Sequence, residues 1–132
     1  MTWRVLIVED EPNIVVSLEF LMQKAGYTVA VARTGQEALE MLESFGPHLV
    51  LLDVMLPKVN GLELCRQIRE NPVWRDIKVI ILSAKGTEGE VRQGMEAGAD
   101  SYVTKPFSTR ALLEQIGDFL TPETESGETG LL

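Results

Sequence analysis

Acidic side chains and one lysine directly follow apolar runs in this sequence, an arrangement that suits phosphoryl chemistry. Glu9, Asp10 and Glu11 follow WRVLIV, Asp53 follows LVLL, and Lys105 follows SYVT. Clustered carboxylates raise one another's pKa, so such a cluster needs nearby positive charge. Oxygen ligands without nearby His or Cys favour a hard ion such as Mg²⁺, with Mn²⁺ as a substitute. A carboxylate beside such an ion can accept a phosphoryl group as a nucleophile.

Each of these residues also has a purely structural interpretation. The acids at 9–11 could favour the start of a helix, and Asp53 could begin a turn before Pro57. Ser83 could be an ordinary cap, or its hydroxyl could bind a phosphoryl oxygen, and Lys105 could lie on the surface. Their joint occurrence after apolar runs favours a metal and phosphoryl site.

The apolar runs predict strands that alternate with amphipathic helices, five times over. The predicted strands are Trp3–Val8, Tyr27–Ala32, His48–Leu52, Val79–Leu82 and Ser101–Thr104. This alternation predicts an α/β fold with a parallel sheet and helices on both of its faces. Loops gather at the carboxyl ends of such strands, where ligands bind. If the first and third strands are neighbours, the acidic residues converge there.

Cap residues mark the predicted helix boundaries. Thr34 with Glu37 and Thr87 with Glu90 fit capping boxes, and Ser108 could cap the last helix. Helix ends are expected at Gly26, Gly46, Gly98 and the pair Asn71-Pro72.

Composition narrows the class of protein. The chain has 132 residues, a formal charge of −8 and a single cysteine, Cys65, which excludes an internal disulfide. Without a long apolar run or a basic cluster, we expect no membrane span and no direct nucleic-acid binding by this domain. These features favour a cytoplasmic protein. We expect one domain at 1–120 and a flexible acidic tail or linker stub at 121–132.

Five motifs together resemble the receiver domain of two-component response regulators, over about residues 3–120. They are VED (8–10), LLDVMLP (51–57) with Gly61, ILSA (81–84), AGAD (97–100) and YVTKPF (102–107). The resemblance implies a doubly wound (βα)5, flavodoxin-like fold with strand order 2-1-3-4-5. It also implies a CheY-like phosphorylation switch rather than an enzyme, with at most slow self-catalysed phosphotransfer and dephosphorylation.

The resemblance also assigns roles to individual residues. Asp53 would be the phosphoacceptor, Mg²⁺ would be bound by Glu9, Asp10, Asp53 and the backbone carbonyl of Met55, and Lys105 would contact the phosphoryl group. The switch pair would be the hydroxyl of Ser83 and the ring of Tyr102, which also has an ordinary strand-packing interpretation. The donor would be a sensor histidine kinase or a histidine phosphotransfer protein. The signal would pass through the face formed by the fourth helix, fifth strand and fifth helix to an unknown output partner or domain.

Several positions depart from the common family pattern. Glu9 replaces the more frequent Asp, and Ser83 replaces the more frequent Thr. Met55 and Lys85 occupy positions that tune hydrolysis in the family, and because Met cannot orient an attacking water, we expect a long-lived phosphorylated state. Positions where dimeric family members carry charges are uncharged here, so we expect a monomer or a phosphorylation-dependent dimer. Those positions are Val91, Ser101, Ala111 and Gln115.

Three rival functions fit these residues less well. A haloacid-dehalogenase phosphatase carries a second Asp two residues after the nucleophile, where this chain has Met55. A flavodoxin-like electron carrier needs a hydroxyl-rich phosphate loop, whereas the first loop here is EDEPN. A docking module independent of phosphorylation would lack Asp53, Lys105 or the acidic pair, all of which are present.

Overall fold

The computed structural model describes residues 2–56 and 60–120. Its elements in chain order are β1 (Arg4–Val8), α1 (Pro12–Lys24), β2 (Thr28–Ala32), α2 (Gly35–Ser44), β3 (Leu49–Asp53), α3 (Gly61–Glu70), β4 (Lys78–Ser83), α4 (Glu88–Glu96), β5 (Ser101–Thr104) and α5 (Thr109–Leu120). The strands form one parallel sheet in the order β2-β1-β3-β4-β5. The predicted doubly wound α/β fold and its strand order are confirmed. The proposed tail at 121–132 lies outside the described residues.

The strands carry continuous apolar runs because both faces of the sheet are buried. Leu6 and Val8 of β1 enter one core, which α2 and α3 cover. Val5 and Ile7 enter the other core, which α1 and α5 cover. Alternate side chains of each strand therefore pack into the two cores on opposite faces of the sheet.

The predicted helix boundaries are confirmed. Thr34, Thr87 and Ser108 each accept a hydrogen bond from the backbone N–H three residues later, at 3.1, 3.2 and 3.2 Å. Asn71 caps the end of α3, directly before Pro72. Among the glycines that the structure describes, Gly26, Gly46 and Gly98 have positive φ. Among the described residues, no helix combines the length and apolar character needed to cross a membrane.

At their carboxyl ends, β3 and β4 extend one residue further than the apolar pattern predicts. Asp53 is the last residue of β3 and pairs with Leu82, and Ser83 is the last residue of β4 and pairs with Thr104. Backbone pairing does not require an apolar side chain, so each ladder continues past its apolar run. The sheet itself, rather than a loop, therefore holds this carboxylate and this hydroxyl.

Arg69 on α3 ties together the amino ends of β4 and β5. Its guanidinium donates to three backbone carbonyls at 2.6, 2.9 and 2.6 Å, and to Asp100 Oδ2 at 2.6 Å. The same Asp100 oxygen accepts a hydrogen bond from the backbone N–H of Val79 at 2.8 Å. Asp100 of the AGAD motif thus has a structural role that the sequence pattern did not reveal.

Candidate functional site

Three carboxylates meet at the carboxyl ends of β1 and β3, which are neighbouring strands. One carboxylate oxygen from each of Glu9, Asp10 and Asp53 lies within 4.8 Å of the other two. Glu9 is 1% exposed and Asp53 is 5% exposed, whereas Asp10 lies nearer to solvent. The backbone N–H of Glu9 donates to the carbonyl of Ala32 at 3.0 Å, so pairing with β2 also fixes its position.

Lys105 supplies the positive charge of the cluster. Its Nζ lies 2.9 Å from Glu9 Oε1 and 3.6 Å from Asp53 Oδ2. Its backbone N–H donates to the carbonyl of Ser83 at 2.7 Å, and the Lys105–Pro106 peptide is cis. The segment that follows β5 thereby brings the ammonium group to acids at the carboxyl ends of β1 and β3. One ammonium does not balance three carboxylates.

The buried Glu9 carboxylate shows that the cluster favours further positive charge. Burial raises the pKa of Glu9 above its usual value, Lys105 opposes this shift, and Asp53 adds to it. A divalent cation held by these oxygens would favour the ionised form. The donor set consists of hard oxygen atoms, so it fits Mg²⁺ or Mn²⁺ better than a soft metal.

The turn after β3 orients Asp53. Asp53 Oδ1 accepts a hydrogen bond from the backbone N–H of Met55 at 2.9 Å. Gly61 packs directly against this turn, since a Cβ there would lie 2.4 Å from Val54 Cα and 2.8 Å from the Asp53 carbonyl oxygen. Close backbone approach therefore explains the glycine that accompanies the LLDVMLP motif. Pro57 of that motif lies outside the described residues.

Lys85 connects Ser83 and Tyr102, the two residues that the resemblance assigns to switching. Ser83 is fully buried, and its Oγ accepts a hydrogen bond from the backbone N–H of Lys85 at 3.0 Å. The hydroxyl of Tyr102 donates to the carbonyl of Lys85. Sequence reasoning linked Lys85 only to hydrolysis and missed this bridge, because its two bonds use backbone atoms.

An open groove of about 540 Å³ lies beside Lys105, between the start of α1 and the segment that follows β5. Its apolar lining includes Ile14, Pro106 and Phe107, with Ser17 at its wall. Ile14 also packs against the core that α1 and α5 cover, so this one side chain contributes both to the core and to the groove wall.

The sequence profile of the response regulator receiver domain matches residues 5–117. The chain belongs to this family. Receiver domains act in phosphorylation-based two-component signalling, and in general they are regulatory rather than enzymatic. They bind Mg²⁺ at an acidic cluster, and Glu9, Asp10 and Asp53 form an acidic group in this chain.

Known relatives agree with this assignment. This receiver domain is 43% identical over 110 residues to the alkaline phosphatase synthesis transcriptional regulatory protein PhoP of Bacillus subtilis. That alignment covers 83% of this chain and 45% of PhoP, so the chain spans less than half of the length of that relative.

Solved structures of receiver domains share the fold. The BeF3-activated receiver domain of DrrB, an OmpR/PhoB homologue of Thermotoga maritima, superposes with a TM-score of 0.83 at 38% identity, covering 91% of this chain and 98% of that one. A CheY-like receiver domain protein of Methanospirillum hungatei has a TM-score of 0.85 at 30% identity, covering 97% and 99% of the two chains.

Proposed function

We propose that this receiver domain is a phosphorylation-dependent switch whose phosphoacceptor is Asp53. The observation that carries the proposal is the buried Asp53 carboxylate at the end of β3, 3.6 Å from the Lys105 ammonium and within 4.8 Å of Glu9 and Asp10. A turn-starting aspartate needs neither two further acids nor a lysine whose side chain is only 16% exposed. A nucleophilic carboxylate that must meet a phosphoryl group and a cation needs both.

The reaction is phosphoryl transfer from a phosphohistidine of a sensor histidine kinase or a histidine phosphotransfer protein. The phosphorus–nitrogen bond breaks, and a bond forms between phosphorus and a carboxylate oxygen of Asp53. The N–H of Met55 orients that carboxylate, and Lys105 neutralises charge on the transferred group. Glu9, Asp10, Asp53 and the carbonyl of Met55 would hold Mg²⁺, which stabilises the developing negative charge when bound.

The apolar groove beside Lys105 supports a protein as the donor. A small phosphoryl donor needs only the acidic cluster and Lys105, whereas a donor histidine on a protein must be brought to Asp53 by a wider contact. The apolar side chains of Ile14, Pro106 and Phe107 provide a surface for that contact next to the site.

The Ser83–Lys85–Tyr102 hydrogen bonds support signal transfer from Asp53 to the face formed by α4, β5 and α5. A phosphoryl group adds about −1.5 to −2 charge and three acceptor oxygens, which Ser83 and Lys105 can contact. The added contacts bias an existing equilibrium between two conformations.

An output partner or domain would bind the α4–β5–α5 face and respond to this change in conformation. The uncharged residues Val91, Ser101, Ala111 and Gln115 on this face suit a monomer or a phosphorylation-dependent dimer. Output through gene regulation is suggested by PhoP, which is a transcriptional regulatory protein. We assign no nucleic-acid or membrane contact to this acidic domain itself, and the buried free Cys65 suits the cytoplasm.

Incubation with Mg²⁺ and acetyl phosphate, followed by intact mass spectrometry, tests the proposal. We expect the wild type to gain the mass of one phosphoryl group and Asp53→Asn to gain none. Asp118→Asn removes an exposed carboxylate on α5 and should gain the same mass as the wild type. Removal of Mg²⁺ with EDTA should abolish the gain. A gain in Asp53→Asn, or no gain in the wild type, would contradict the assignment.

A further inference from the structure

Helix α4 packs on the sheet through one buried residue, Gly94. By contrast, α1 and α5 each bury three apolar side chains. Little apolar burial holds α4 in place, so its position depends strongly on what lies beneath Gly94.

The space that a side chain at position 94 would need is filled by the ring of Tyr102. A Cβ built on Gly94 would lie 2.7 Å from Cδ2 and 3.0 Å from Cε2 of Tyr102, and 3.0 Å from Cδ1 of Ile81. Ile81 is fully buried in the close-packed core, whereas Tyr102 is half-buried and can move outward. A side chain at position 94 would therefore displace the Tyr102 ring rather than the core.

The same ring carries the hydroxyl that reaches the loop between β4 and α4. That hydroxyl donates to the Lys85 carbonyl, and the Lys85 N–H donates to Ser83 Oγ at 3.0 Å. A serine hydroxyl that accepts one hydrogen bond keeps its own hydrogen for another acceptor. The Tyr102–Lys85–Ser83 chain therefore leaves Ser83 ready to donate to a phosphoryl oxygen.

We infer that Gly94 is a positioning residue for this switch. Its missing side chain lets the Tyr102 ring lie beneath α4, where the ring holds Lys85 and, through Lys85, Ser83. The inference rests on the proposed function of Asp53 and Ser83 in phosphoryl binding, and it adds a residue that touches neither of them. Through this contact, Gly94 couples the packing of α4 to the affinity of the site for a phosphoryl group.

Two glycines on the same helix provide a matched test. Gly94→Ala introduces the clash, whereas Gly89→Ala does not, because a Cβ at Gly89 has nothing within 4 Å. Both substitutions raise helix propensity similarly. In titrations with beryllofluoride and Mg²⁺, we expect Gly94→Ala to weaken binding about 3- to 10-fold and Gly89→Ala to change it by less than about twofold.

A double-mutant cycle identifies Tyr102 as the intermediary. Tyr102→Val lacks the ring atoms that a Cβ at position 94 would meet, so in this background Gly94→Ala should change beryllofluoride affinity by less than about twofold. An equal loss in both backgrounds would contradict the inference. If Gly94→Ala alone fails to fold, restoration of folding by Tyr102→Val supports the inference and lack of restoration overturns it.

A measurement on the ligand-free protein separates this inference from the proposed function. We expect Gly94→Ala to shift the NMR resonances of the Tyr102 ring and of the Lys85 amide, and Gly89→Ala to leave both in place. Unchanged resonances in Gly94→Ala would refute the role of Gly94. Failure of the wild type to bind beryllofluoride would instead refute the proposed function, and the resonances would still decide the role of Gly94.

Discussion

Met55 stands next to the proposed phosphoacceptor with a side chain that is 54% exposed and that neither donates nor strongly accepts a hydrogen bond. An asparagine there could orient a water molecule toward the phosphoryl group. One such hydrogen bond contributes about 0.5–1.5 kcal/mol, so we expect Met55→Asn to shorten the half-life of the aspartyl phosphate about 2- to 10-fold.

Decay of the phosphorylated protein after removal of acetyl phosphate, followed by intact mass, measures this half-life. Met95→Asn is the matched control, because Met95 is 44% exposed and lies on α4 rather than at the turn after β3. A half-life in Met55→Asn equal to or longer than that of the wild type would refute the interpretation of Met55.

Helix α3 is joined to the amino ends of β4 and β5 by Arg69 and Asp100, whose side chains are 23% and 26% exposed. Arg69→Met keeps most of the aliphatic stem against Gly98 but removes the guanidinium and its four hydrogen bonds. It leaves Asp100 without its cation. We expect the free energy of unfolding to fall by about 2–4 kcal/mol.

Urea denaturation of Arg66→Met provides the comparison. Arg66 lies on the same helix, but its 3.5 Å ion pair with Glu63 is about half exposed, so its loss should cost less than about 0.5 kcal/mol. Equal destabilisation by the two substitutions would show that the Arg69 cluster contributes no more than an ordinary surface pair.

The stability of the whole molecule should depend on the protonation of His48, the single histidine of the chain. Its Nδ1 accepts a hydrogen bond from the backbone N–H of Arg4 at 2.9 Å, so that nitrogen must be unprotonated. Burial, and secondarily the charge of Arg4, lowers the pKa of His48 below its ordinary value of 6.5. The unfolded chain therefore takes up a proton at higher pH than the folded protein does.

The difference between the His48 pKa values of the folded and unfolded protein sets the direction in which stability changes with pH. The stabilisation linked to His48 is fully present above the unfolded pKa, and it is lost as the pH falls from there through the lower folded pKa. His48→Asn keeps an acceptor for Arg4 but does not titrate. Urea denaturation between about pH 5 and pH 7.5 should show wild-type stability falling relative to His48→Asn as the pH decreases. A constant difference, or a His48 pKa above 6.5 by NMR, would refute the prediction.

Much of the fold could be predicted from local patterns. The apolar runs predicted every strand to within a residue or so, and Thr34, Thr87 and Ser108 marked helix starts. These signals act over a few residues, because a cap bonds its own first turn and a strand buried on both faces must be continuously apolar. The ends of β3 and β4 were missed because backbone pairing continues through the polar Asp53 and Ser83.

The candidate site was predictable only as a set of residue types. Glu9, Asp10, Asp53 and Lys105 could be selected because polar residues after buried strands gather at one edge of a parallel sheet. Their distances, and the closer approach of Lys105 Nζ to Glu9 at 2.9 Å than to Asp53 at 3.6 Å, required the packed structure.

The sequence by itself determined the elements of this receiver domain, their order and the chemical types that stand at the strand ends. Only the tertiary structure decided that the Tyr102 ring fills the space beneath Gly94 and that Arg69 binds Asp100. The reason is physical: propensity, alternation and capping depend on neighbours in the chain. Steric fit and ion pairing join residues of separate elements, whose distances exist only once the sheet and helices have packed.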